Sequence, residues 1–493
     1  MWTVELTPFI GRKRELDQLQ EEWSEKKAAL LILYGRRRIG KTRLLTHWIE
    51  TSGARVLYWV ANPTSSLDQL RSFSQALYNF AGSGTVSEEF TFGTWANAFL
   101  EIERMAQNQR IAIIIDEFTY LLESEPGIAG ILQNTWDHHL KKTNLFLILS
   151  GSHIGMMERG LLSYQAPLYG RATSLLKLQQ LPFSATRLFF PGYKPDERVA
   201  VYAMLGGIPA YWELFNPEKS LDANIRKVFL GGMNLLQDEP RLLLQDFITE
   251  LHNYVAILRA MAHGYRTPKE IGAYAGVSDK NVPAYLSNLV NTGFVERRVP
   301  VAAPESSRAG QHSITDPFLR FYFRFLSDRQ EQLALGVQDQ ALAEIKKHLV
   351  DFIGTHTWEE LCREWLLRAS AENRLPFLPD QVGSAWTKQA QLDVVGINSM
   401  EKTIILGECK WGRHPIGSEV LEGLVEKTGE FVPKEGKWTV YYFGFARTGW
   451  TEAARRVARK AASSSVPDQN WRPAGMELLD LKQIDEDLKA WSR

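Results

Sequence analysis

The chain has 493 residues, enough for about three domains at roughly 150 residues each. Basic and acidic residues both number 57, so the net charge is zero and no overall positive field attracts polyanions; any polyanion site must be local. With 44% hydrophobic and 23% charged residues, the composition excludes a disordered or low-complexity chain. The only two cysteines, Cys362 and Cys409, argue against a disulfide framework and a cysteine-rich zinc site.

The longest apolar runs cover residues 28–34, 111–115 and 145–149, far fewer than the roughly 18 residues of a membrane span. They predict buried strands. The N-terminal segment Met1-Trp-Thr-Val-Glu-Leu6 has no basic stretch followed by an apolar one and no lipidation motif. We therefore expect a cytoplasmic protein with no membrane partner.

A glycine-rich loop follows the first of these runs. The apolar residues 30–34 lead into Gly35-Arg-Arg-Arg-Ile-Gly40-Lys41-Thr42, and a helix-compatible stretch comes next. Strand, loop and helix in this order form a phosphate-binding loop, in which glycines let the backbone approach phosphate closely. Lys41 is expected to contact the β- and γ-phosphates and Thr42 to bind Mg²⁺. The pattern predicts a site for ATP or ADP with Mg²⁺.

Polar residues end the next two apolar runs. Residues 110–117 predict a parallel strand that ends in Asp116 and Glu117. Asp116 is expected to hold the Mg²⁺ shell, and Glu117 to orient or deprotonate the attacking water. Ser150, after the third run, is either a γ-phosphate sensor or an ordinary turn residue. Arg171 is either a cation that stabilises the transition state or a surface arginine.

Four motifs in the first 235 residues occur in one order: Phe9-Ile-Gly-Arg-Lys-Arg-Glu-Leu16, the loop at 35–42, the Asp-Glu pair at 116–117, and Gly206-Gly-Ile-Pro-Ala-Tyr211. Together they resemble the prokaryotic and archaeal ATPase family of the AAA+/STAND group of P-loop NTPases. The resemblance implies Walker A and Walker B motifs on a parallel sheet and a helical lid, and it assigns Ile10 and Pro209 to the adenine pocket. No obvious arginine lies beside the Gly-x-Pro turn. We therefore expect ATP to drive formation of a homo-oligomer in which Arg171 acts from a neighbour.

The middle of the chain has the pattern of a winged helix. Thr267-Pro-Lys-Glu270 predicts a helix that begins at Pro268 and ends near Gly276. Ser278 is expected to cap a second helix that Gly293 ends. The other expected elements are a helix over 251–261 and a β-hairpin made by 294–301 and 311–315.

The DNA-binding role of this segment is open from the sequence. Residues 245–300 carry six Lys/Arg against five Asp/Glu, and Pro283 lies in the first turns of the second helix, where base-reading residues normally project. Both observations favour packing against the ATPase or a partner. Arg297 and Arg298 in the hairpin can still contact phosphates.

The last third predicts a helix followed by a hairpin. After helical stretches at 318–326 and 330–348, residues 352–365 place three apolar side chains on one face and Glu359 off it. Residues 391–397 and 403–411 alternate as two paired strands. Glu408 and Lys410 then share a face, which Asp393 reaches from the partner strand.

Two carboxylates and an amine in this arrangement suit phosphodiester hydrolysis. Asp393, Glu408 and the carbonyl of Cys409 can hold Mg²⁺ or Mn²⁺, and Lys410 can stabilise the charged transition state. By itself, the pattern is weakly specific and also typical of an ion pair on a surface hairpin. Residues 451–460, with a net charge of +3, form either a helix that follows a phosphate backbone or a solvated face.

Residues 350–450 add a second resemblance, carried by Glu359, Asp393, the Glu408-Cys-Lys410-Trp411 strand and Phe445-Ala-Arg-Thr-Gly449. They are similar to the domain of unknown function that often follows this ATPase and resembles PD-(D/E)XK nucleases. The resemblance implies a restriction-endonuclease-like α/β domain and assigns Glu359 as the helix carboxylate. Leu392 stands where the proline of that pattern is expected.

The predicted fold class is therefore a multidomain α/β protein. The expected domains are a P-loop ATPase at 1–180, a helical lid at 181–240, a winged helix at 241–316, a helical linker at 317–349 and a nuclease-like domain at 350–493. The leading functional hypothesis is an ATPase coupled to a metal-dependent nuclease that acts on DNA in processing or defence. One alternative is a signalling switch governed by ATP and ADP, with a non-catalytic C-terminal interaction module. Another is an ATP-dependent transcription regulator.

Overall fold

The computed structural model describes residues 9–82, 87, 89–231, 235–245, 251–461 and 469–492. The chain divides into two compact units: Met1–Leu181 with Ile208–Tyr211, and Pro182–Gly207 with Trp212–Arg493. The N-terminal segment 1–6, together with parts of the predicted lid (232–234) and winged helix (246–250), lies outside the described residues. Within the described ranges, no helix is long and apolar enough to cross a membrane.

The first unit is a parallel sheet with helices. Its strands are β1 (Ala29–Tyr34), β2 (Val56–Val60), β3 (Ile111–Asp116), β4 (Leu145–Gly151) and β5 (Ser174–Lys177). Its helices are α1 (Lys13–Ser24), α2 (Lys41–Ser52), α3 (Ser66–Ala81), α4 (Trp95–Ala106), α5 (Phe118–Ser124), α6 (Ile128–His138) and α7 (Ile154–Met157), with a 3-10 turn at Leu140–Lys142 and a π-helical turn at Glu158–Leu162. The strand order is β2-β3-β4-β1-β5, and every pair is parallel. The predicted parallel sheet is confirmed.

The three apolar runs form the centre of this sheet. β1, β3 and β4 are buried along their whole length, as expected for strands covered on both faces. β4 lies between the other two, with Leu33 of β1 beside Ser150 and Ile115 of β3 beside Leu149. The carboxyl ends of all three strands therefore meet at one edge of the sheet, where the glycine-rich loop and Asp116 also lie.

The second unit has helices followed by two further sheets. Its helices are α8 (Thr186–Phe189), α9 (Pro195–Leu205), α10 (Pro209–Trp212, which begins in the first unit), α11 (Leu221–Phe229), α12 (Leu235–Gln245), α13 (Leu251–Ala262), α14 (Pro268–Ala275), α15 (Val282–Asn291), α16 (Pro317–Phe325), α17 (Gln330–Ala334), α18 (Gln338–Phe352), α19 (Glu359–Ala371), α20 (Glu419–Glu426), α21 (Thr428–Phe431), α22 (Glu452–Lys460) and α23 (Leu481–Ala490). Its strands are β6 (Val295–Arg298), β7 (Gln311–Ile314), β8 (Gln381–Trp386), β9 (Gln391–Asn398), β10 (Thr403–Lys410), β11 (Trp438–Ala446) and β12 (Trp471–Asp480).

The segment from α13 to β7 follows the predicted element order. α14 begins at Pro268 with the expected capping box: Thr267 accepts the Glu270 N–H at 3.4 Å, and the Glu270 carboxylate accepts the Thr267 N–H at 3.0 Å. The capping prediction for Ser278 is wrong. Its carbonyl instead closes a turn with the Asn281 N–H at 2.8 Å, and α15 starts only at Val282. β6 and β7 pair in antiparallel fashion, which confirms the hairpin.

The larger sheet of this unit has the order β12-β11-β10-β9-β8 and is mixed, with β8–β9–β10 antiparallel and β10–β11–β12 parallel. The predicted β9–β10 hairpin is confirmed. The helix predicted over 330–348 is interrupted at Gly336, whose φ of +79° ends α17. A π-helical turn, Ile353–Trp358, leads from α18 into α19, so the helix predicted over 352–365 is a continuation of α18.

Candidate functional site

The glycine-rich loop is closely packed at both ends. A Cβ added to Gly35 would lie 2.7 Å from the carbonyl oxygen of Leu178, so a larger residue would displace the backbone. Gly40 has a φ of +97° at the start of α2, a conformation that glycine adopts without strain. The N–H groups of the first turn of α2 therefore begin directly after the loop, which suits an anion.

Lys41 points back along this loop. Its Nζ donates to the carbonyls of Gly35 at 2.9 Å and Arg36 at 3.2 Å. Burial lowers the pKa of Lys41 to about 8, although Glu117 and Asp116 oppose this shift. Its acceptors are neutral carbonyls, so the buried ammonium would gain from an anionic partner.

Asp116 is the acceptor for three donors at the end of β3. Thr42 Oγ1 donates to its Oδ2 at 2.9 Å, Tyr58 Oη donates to the same oxygen at 2.5 Å, and the Glu117 N–H donates to Oδ1 at 3.0 Å. Burial, followed by the hydrogen bond to Asp116, raises the pKa of Tyr58. The hydroxyl of Thr42 and the carboxylate of Asp116 are the hard oxygen donors that Mg²⁺ prefers, so the pair fits this ion.

Tyr58 was not found from the sequence. It lies on β2, which pairs directly with β3. The only sequence signal is a hydroxyl-bearing aromatic residue within an apolar strand, and that signal says nothing about the neighbouring strand.

Glu117 is fixed by its backbone and by a serine. Its φ of +53° is in the left-handed region, which is uncommon for a residue with a side chain. Ser152 Oγ donates to its Oε1 at 2.6 Å. Ser150, the residue predicted as a sensor, is fully buried, and its Oγ has no hydrogen-bond partner among the described residues. Ser152, two positions further on, is therefore the serine that contacts the predicted catalytic glutamate.

The Gly-x-Pro segment meets the loop. Pro209 Cγ lies 4.0 Å from the position of a Cβ built on Gly40, and Arg36 donates to the Tyr211 hydroxyl at 3.0 Å. Phe9 stacks on His47 of α2 with ring centroids 4.2 Å apart, and its neighbour Ile10 is half-buried.

Arg171 is held away from the loop residues. Its guanidinium pairs with Asp137 at 2.7 Å and also donates to the carbonyls of Pro167 and Tyr169. The ion pair lowers the pKa of Asp137. None of these partners belongs to the loop at 35–42 or to the Asp116–Glu117 pair.

The second candidate site lies on β9 and β10. The pairing of β9 with β10 ends at Val394 opposite Gly407; Asp393 and Glu408 come next on the two strands, and both side chains are buried. Asp393 Oδ2 accepts the Cys409 N–H at 2.9 Å. Burial, and then the charge of Glu408, raise the pKa of Asp393. Two close carboxylates in this environment favour a cation.

Two lysines contact Glu408. Lys410 Nζ lies 2.8 Å from Oε1, and Lys427 Nζ lies 3.5 Å from Oε2. Burial alone would lower the pKa of Lys410, but Glu408 and Asp393 outweigh it and the pKa is raised. The sequence pattern did not single out Lys427, which follows α20 and is distant along the chain.

Glu359 completes this cluster at the start of α19. Its carboxylate lies 3.4 Å from Arg363 Nη1, which also donates to the Asp393 carbonyl at 2.8 Å. Burial, followed by the charge of Asp393, raises the pKa of Glu359 to about 8. Across the parts of the chain that the structure describes, no group of three or more His, Cys, Asp or Glu residues is arranged to hold a metal ion. The hard oxygen donors available to a divalent cation here are limited, among the described residues, to the carboxylates of Asp393 and Glu408.

Both halves of the chain have known relatives. Residues 9–215 match an ATPase domain found predominantly in Archaea, and residues 322–420 match archaeal and bacterial proteins of unknown function. The uncharacterized protein MJECL04 of Methanocaldococcus jannaschii is 32% identical over 405 residues, which are 82% of this chain and 87% of that protein. A Walker-type ATPase of Pyrococcus abyssi aligns with 64% of this chain and 96% of its own, at 18% identity and a TM-score of 0.47. The ORC2 protein of Aeropyrum pernix, solved in ADPNP–ADP complexes, aligns with 69% of this chain and 98% of its own, at 14% identity and a TM-score of 0.41.

Proposed function

Because the chain belongs to the same family as the Methanocaldococcus jannaschii protein and carries the archaeal-type ATPase domain, we propose that it couples Mg²⁺-dependent ATP hydrolysis to phosphodiester cleavage in DNA. The ATPase is assigned to the first unit. The proposed nuclease is assigned to the β9–β10 hairpin of the second unit. DNA processing or defence is the role that such a combination would serve.

In the first unit, each side chain has a separate task. Lys41 exchanges its carbonyl acceptors for the β- and γ-phosphates of ATP. Thr42 and Asp116 would hold Mg²⁺, whose charge would offset that of the phosphate oxygens. Glu117 accepts a proton from the attacking water or orients it, while Ser152 fixes its carboxylate.

In the second unit, Asp393 and Glu408 are the carboxylates that would hold a divalent cation, which lowers the pKa of a bound water. Lys410 and Lys427 supply positive charge beside the phosphate that is attacked. Glu359 acts from α19 through Arg363, which it contacts and which donates to the Asp393 carbonyl. The observation that carries the nuclease proposal is that the buried carboxylates of Asp393 and Glu408 lie directly beyond the last paired residues of β9 and β10, next to Lys410.

A cleavage assay tests this proposal. We expect the intact protein to cut linear, supercoiled or single-stranded DNA in Mg²⁺ or Mn²⁺, measured with and without ATP. Asp393→Ala and Glu408→Ala should abolish cleavage together with metal binding, whereas Lys410→Ala should retain the metal and slow the reaction. Glu401→Ala, in the exposed turn of the same hairpin, is the matched control. Undiminished cleavage by the Asp393/Glu408 double variant would rule out this site.

One observation favours the alternative of a signalling switch with a non-catalytic C-terminal module. Glu408, the central carboxylate, is already neutralised within the protein by two lysines. This alternative predicts ATP-dependent changes in assembly and no cleavage under any metal condition. The proposed winged helix over 241–316 would then serve as a packing element.

We also propose that the ATP state is a homo-oligomer in which Arg171 acts on a neighbouring site. For this, Arg171 has to leave Asp137. A mixture of Lys41→Ala and Arg171→Ala proteins should then recover ATPase activity, because some sites would combine an intact Lys41 with an intact Arg171. No recovery, together with a monomeric mass in ATP, would refute the shared site.

A further inference from the structure

A small cavity lies beside the carboxylates of the second unit. It has a volume of about 40 Å³, and its walls include Arg266 before α14, Arg298 and His312 of the β6–β7 hairpin, His356 of the π-helical turn, and Glu359. A single water needs about 10–15 Å³ by the same measure, so the space holds about three waters or one tetrahedral oxyanion. The hairpin and the proposed nuclease site thus share one cavity through Glu359.

The cavity is electropositive. Burial, followed by the charges of Arg320, Arg266, Arg298 and Arg363, holds the pKa of His356 well below its usual value. Arg298 and Arg320 are paired with carboxylates, Arg298 with Glu296 and both with Glu360. Of the other two, Arg363 is paired with Glu359, and Arg266 lines the cavity itself.

Among the described residues, the Arg266 guanidinium forms no ion pair. The side-chain partner of its guanidinium is Gln311 Oε1, at a long 3.4 Å. Among the described residues, no carboxylate lies within ion-pair distance of it. Its charge acts at longer range on Glu359, in the same cavity wall, and on Glu270. A half-buried guanidinium that forms no ion pair with these carboxylates can still bind an oxyanion.

One ring nitrogen of His312, Nδ1, lacks a hydrogen-bond partner among the described residues of the cavity wall. Its side chain is only 8% exposed, and its Nδ1 makes no hydrogen bond to any residue that the structure describes. Its backbone N–H donates to the Arg266 carbonyl at 2.8 Å, which fixes the imidazole in the cavity wall next to that arginine. A buried ring nitrogen is costly to leave unpaired, so the cavity wall offers a hydrogen bond to a ligand.

We infer that this cavity is an oxyanion subsite that takes a phosphate group of a nucleic-acid strand lying on the β9–β10 site. The placement on a nucleic acid rests on the proposed nuclease function. The site itself rests on the cavity, the unpaired Arg266 and the buried His312. Free inorganic phosphate has the same chemistry, so the test must separate the two sources.

The test measures binding of the full chain rather than cleavage. A labelled DNA oligonucleotide is titrated in Ca²⁺ over a series of KCl concentrations, and inorganic phosphate is titrated separately by calorimetry. Arg266→Gln should weaken DNA binding by about tenfold and reduce the slope of log affinity against log salt by about one. Arg266→Lys keeps the charge and should keep the slope. Arg241→Gln, on an exposed position of α12, is the matched control, and melting followed by circular dichroism verifies that each variant is folded.

The outcomes separate this inference from the proposed function. Wild-type DNA affinity and slope in Arg266→Gln would overturn the inference, whether or not the protein cleaves DNA. If Arg266→Gln lowers the slope of log DNA affinity against log salt but the intact protein never cleaves DNA, the subsite is supported and the proposed nuclease activity is ruled out. Phosphate binding that Arg266→Gln abolishes, without any DNA binding, would support the oxyanion site and overturn its nucleic-acid source. If the protein binds neither DNA nor inorganic phosphate, both the oxyanion site and its occupation by a nucleic acid are ruled out.

Discussion

Ser152→Ala tests how the first unit positions its catalytic glutamate. The Ser152 hydroxyl donates to Glu117 Oε1 at 2.6 Å, and the Glu117 backbone is already in an unfavourable left-handed conformation. Without the hydroxyl, the carboxylate can turn away from the attacking water. We expect kcat for ATP hydrolysis to fall while the affinity for ATP stays nearly constant, because the lysine and loop contacts are untouched.

The size of the effect follows from the type of bond. A hydrogen bond to a charged group contributes about 1.5–3 kcal/mol, and each 1.36 kcal/mol corresponds to a tenfold change in rate. The bond is only partly buried, so the lower end applies and a loss of about tenfold in kcat is expected.

A steady-state ATPase assay and a binding titration with a non-hydrolysable ATP analogue measure the two quantities. In a Glu117→Gln background, Ser152→Ala should add little, because the two residues act as one unit. Ser163→Ala, which removes an exposed hydroxyl from the same unit, is the control. A wild-type kcat for Ser152→Ala, or a full additional loss in the Glu117→Gln background, would refute the positioning role.

Three further predictions concern other residues. Tyr58→Phe removes one of the two hydroxyl groups that donate to Asp116 Oδ2. The Mg²⁺ concentration for half-maximal ATPase activity should therefore change by about three- to tenfold, while nucleotide affinity without Mg²⁺ stays the same. A metal titration of ATPase activity measures this change. Burial lowers the pKa of Lys41 to about 8, and a bound phosphate favours its charged form. ATP binding at pH 8 should therefore take up about half a proton and should weaken above that pH. Calorimetry in two buffers of different ionisation enthalpy measures this uptake, and equal heats would contradict it. Asp485→Asn leaves the buried Arg198 without its carboxylate partner at 2.5 Å, and it should lower the free energy of unfolding by about 3–5 kcal/mol in a denaturant titration. The control is Asp339→Asn, which breaks an exposed ion pair with Arg226 and should change the free energy of unfolding by less than about 1 kcal/mol.

The sequence was sufficient for the residues that belong to a local pattern. The strands that lead to Gly35 and Asp116 are long enough and apolar enough to identify, and the capping box at Thr267 is a local hydrogen-bond motif. α15 begins at Val282, later than a cap at Ser278 predicts, because a turn after Ser278 satisfies the same polar residues without forming a helix. The polar pattern of residues 330–348 predicts one continuous helix, but Gly336 separates it into α17 and α18.

The partners of the predicted site residues depend on strand order and helix packing, which no local pattern encodes. Tyr58 reaches Asp116 only because β2 lies beside β3. Ser152 rather than Ser150 meets Glu117, because Ser150 is buried inside β4 beside Leu33 of β1, whereas Ser152 lies just beyond the carboxyl end of that strand. Lys427 reaches Glu408 from the end of a helix that folds over the hairpin. In each case the sequence predicted the charged group, and only the three-dimensional arrangement revealed what holds it.

The two candidate sites also differ in what their lysines must give up. Lys41 is bonded to the neutral carbonyls of Gly35 and Arg36, so an anionic phosphate replaces weaker acceptors and can bind by itself. Lys410 is bonded to Glu408, and a phosphate that takes this lysine leaves the buried carboxylate with only the longer contact to Lys427, at 3.5 Å. A cation on Glu408 and Asp393 removes that cost. We therefore expect nucleotide binding at the first site to tolerate removal of Mg²⁺ with a moderate loss of affinity, whereas phosphodiester binding at the second site should require the metal. Binding titrations in EDTA and in Ca²⁺ distinguish the two sites. DNA binding that needs no metal and is lost in Lys410→Ala would contradict the argument.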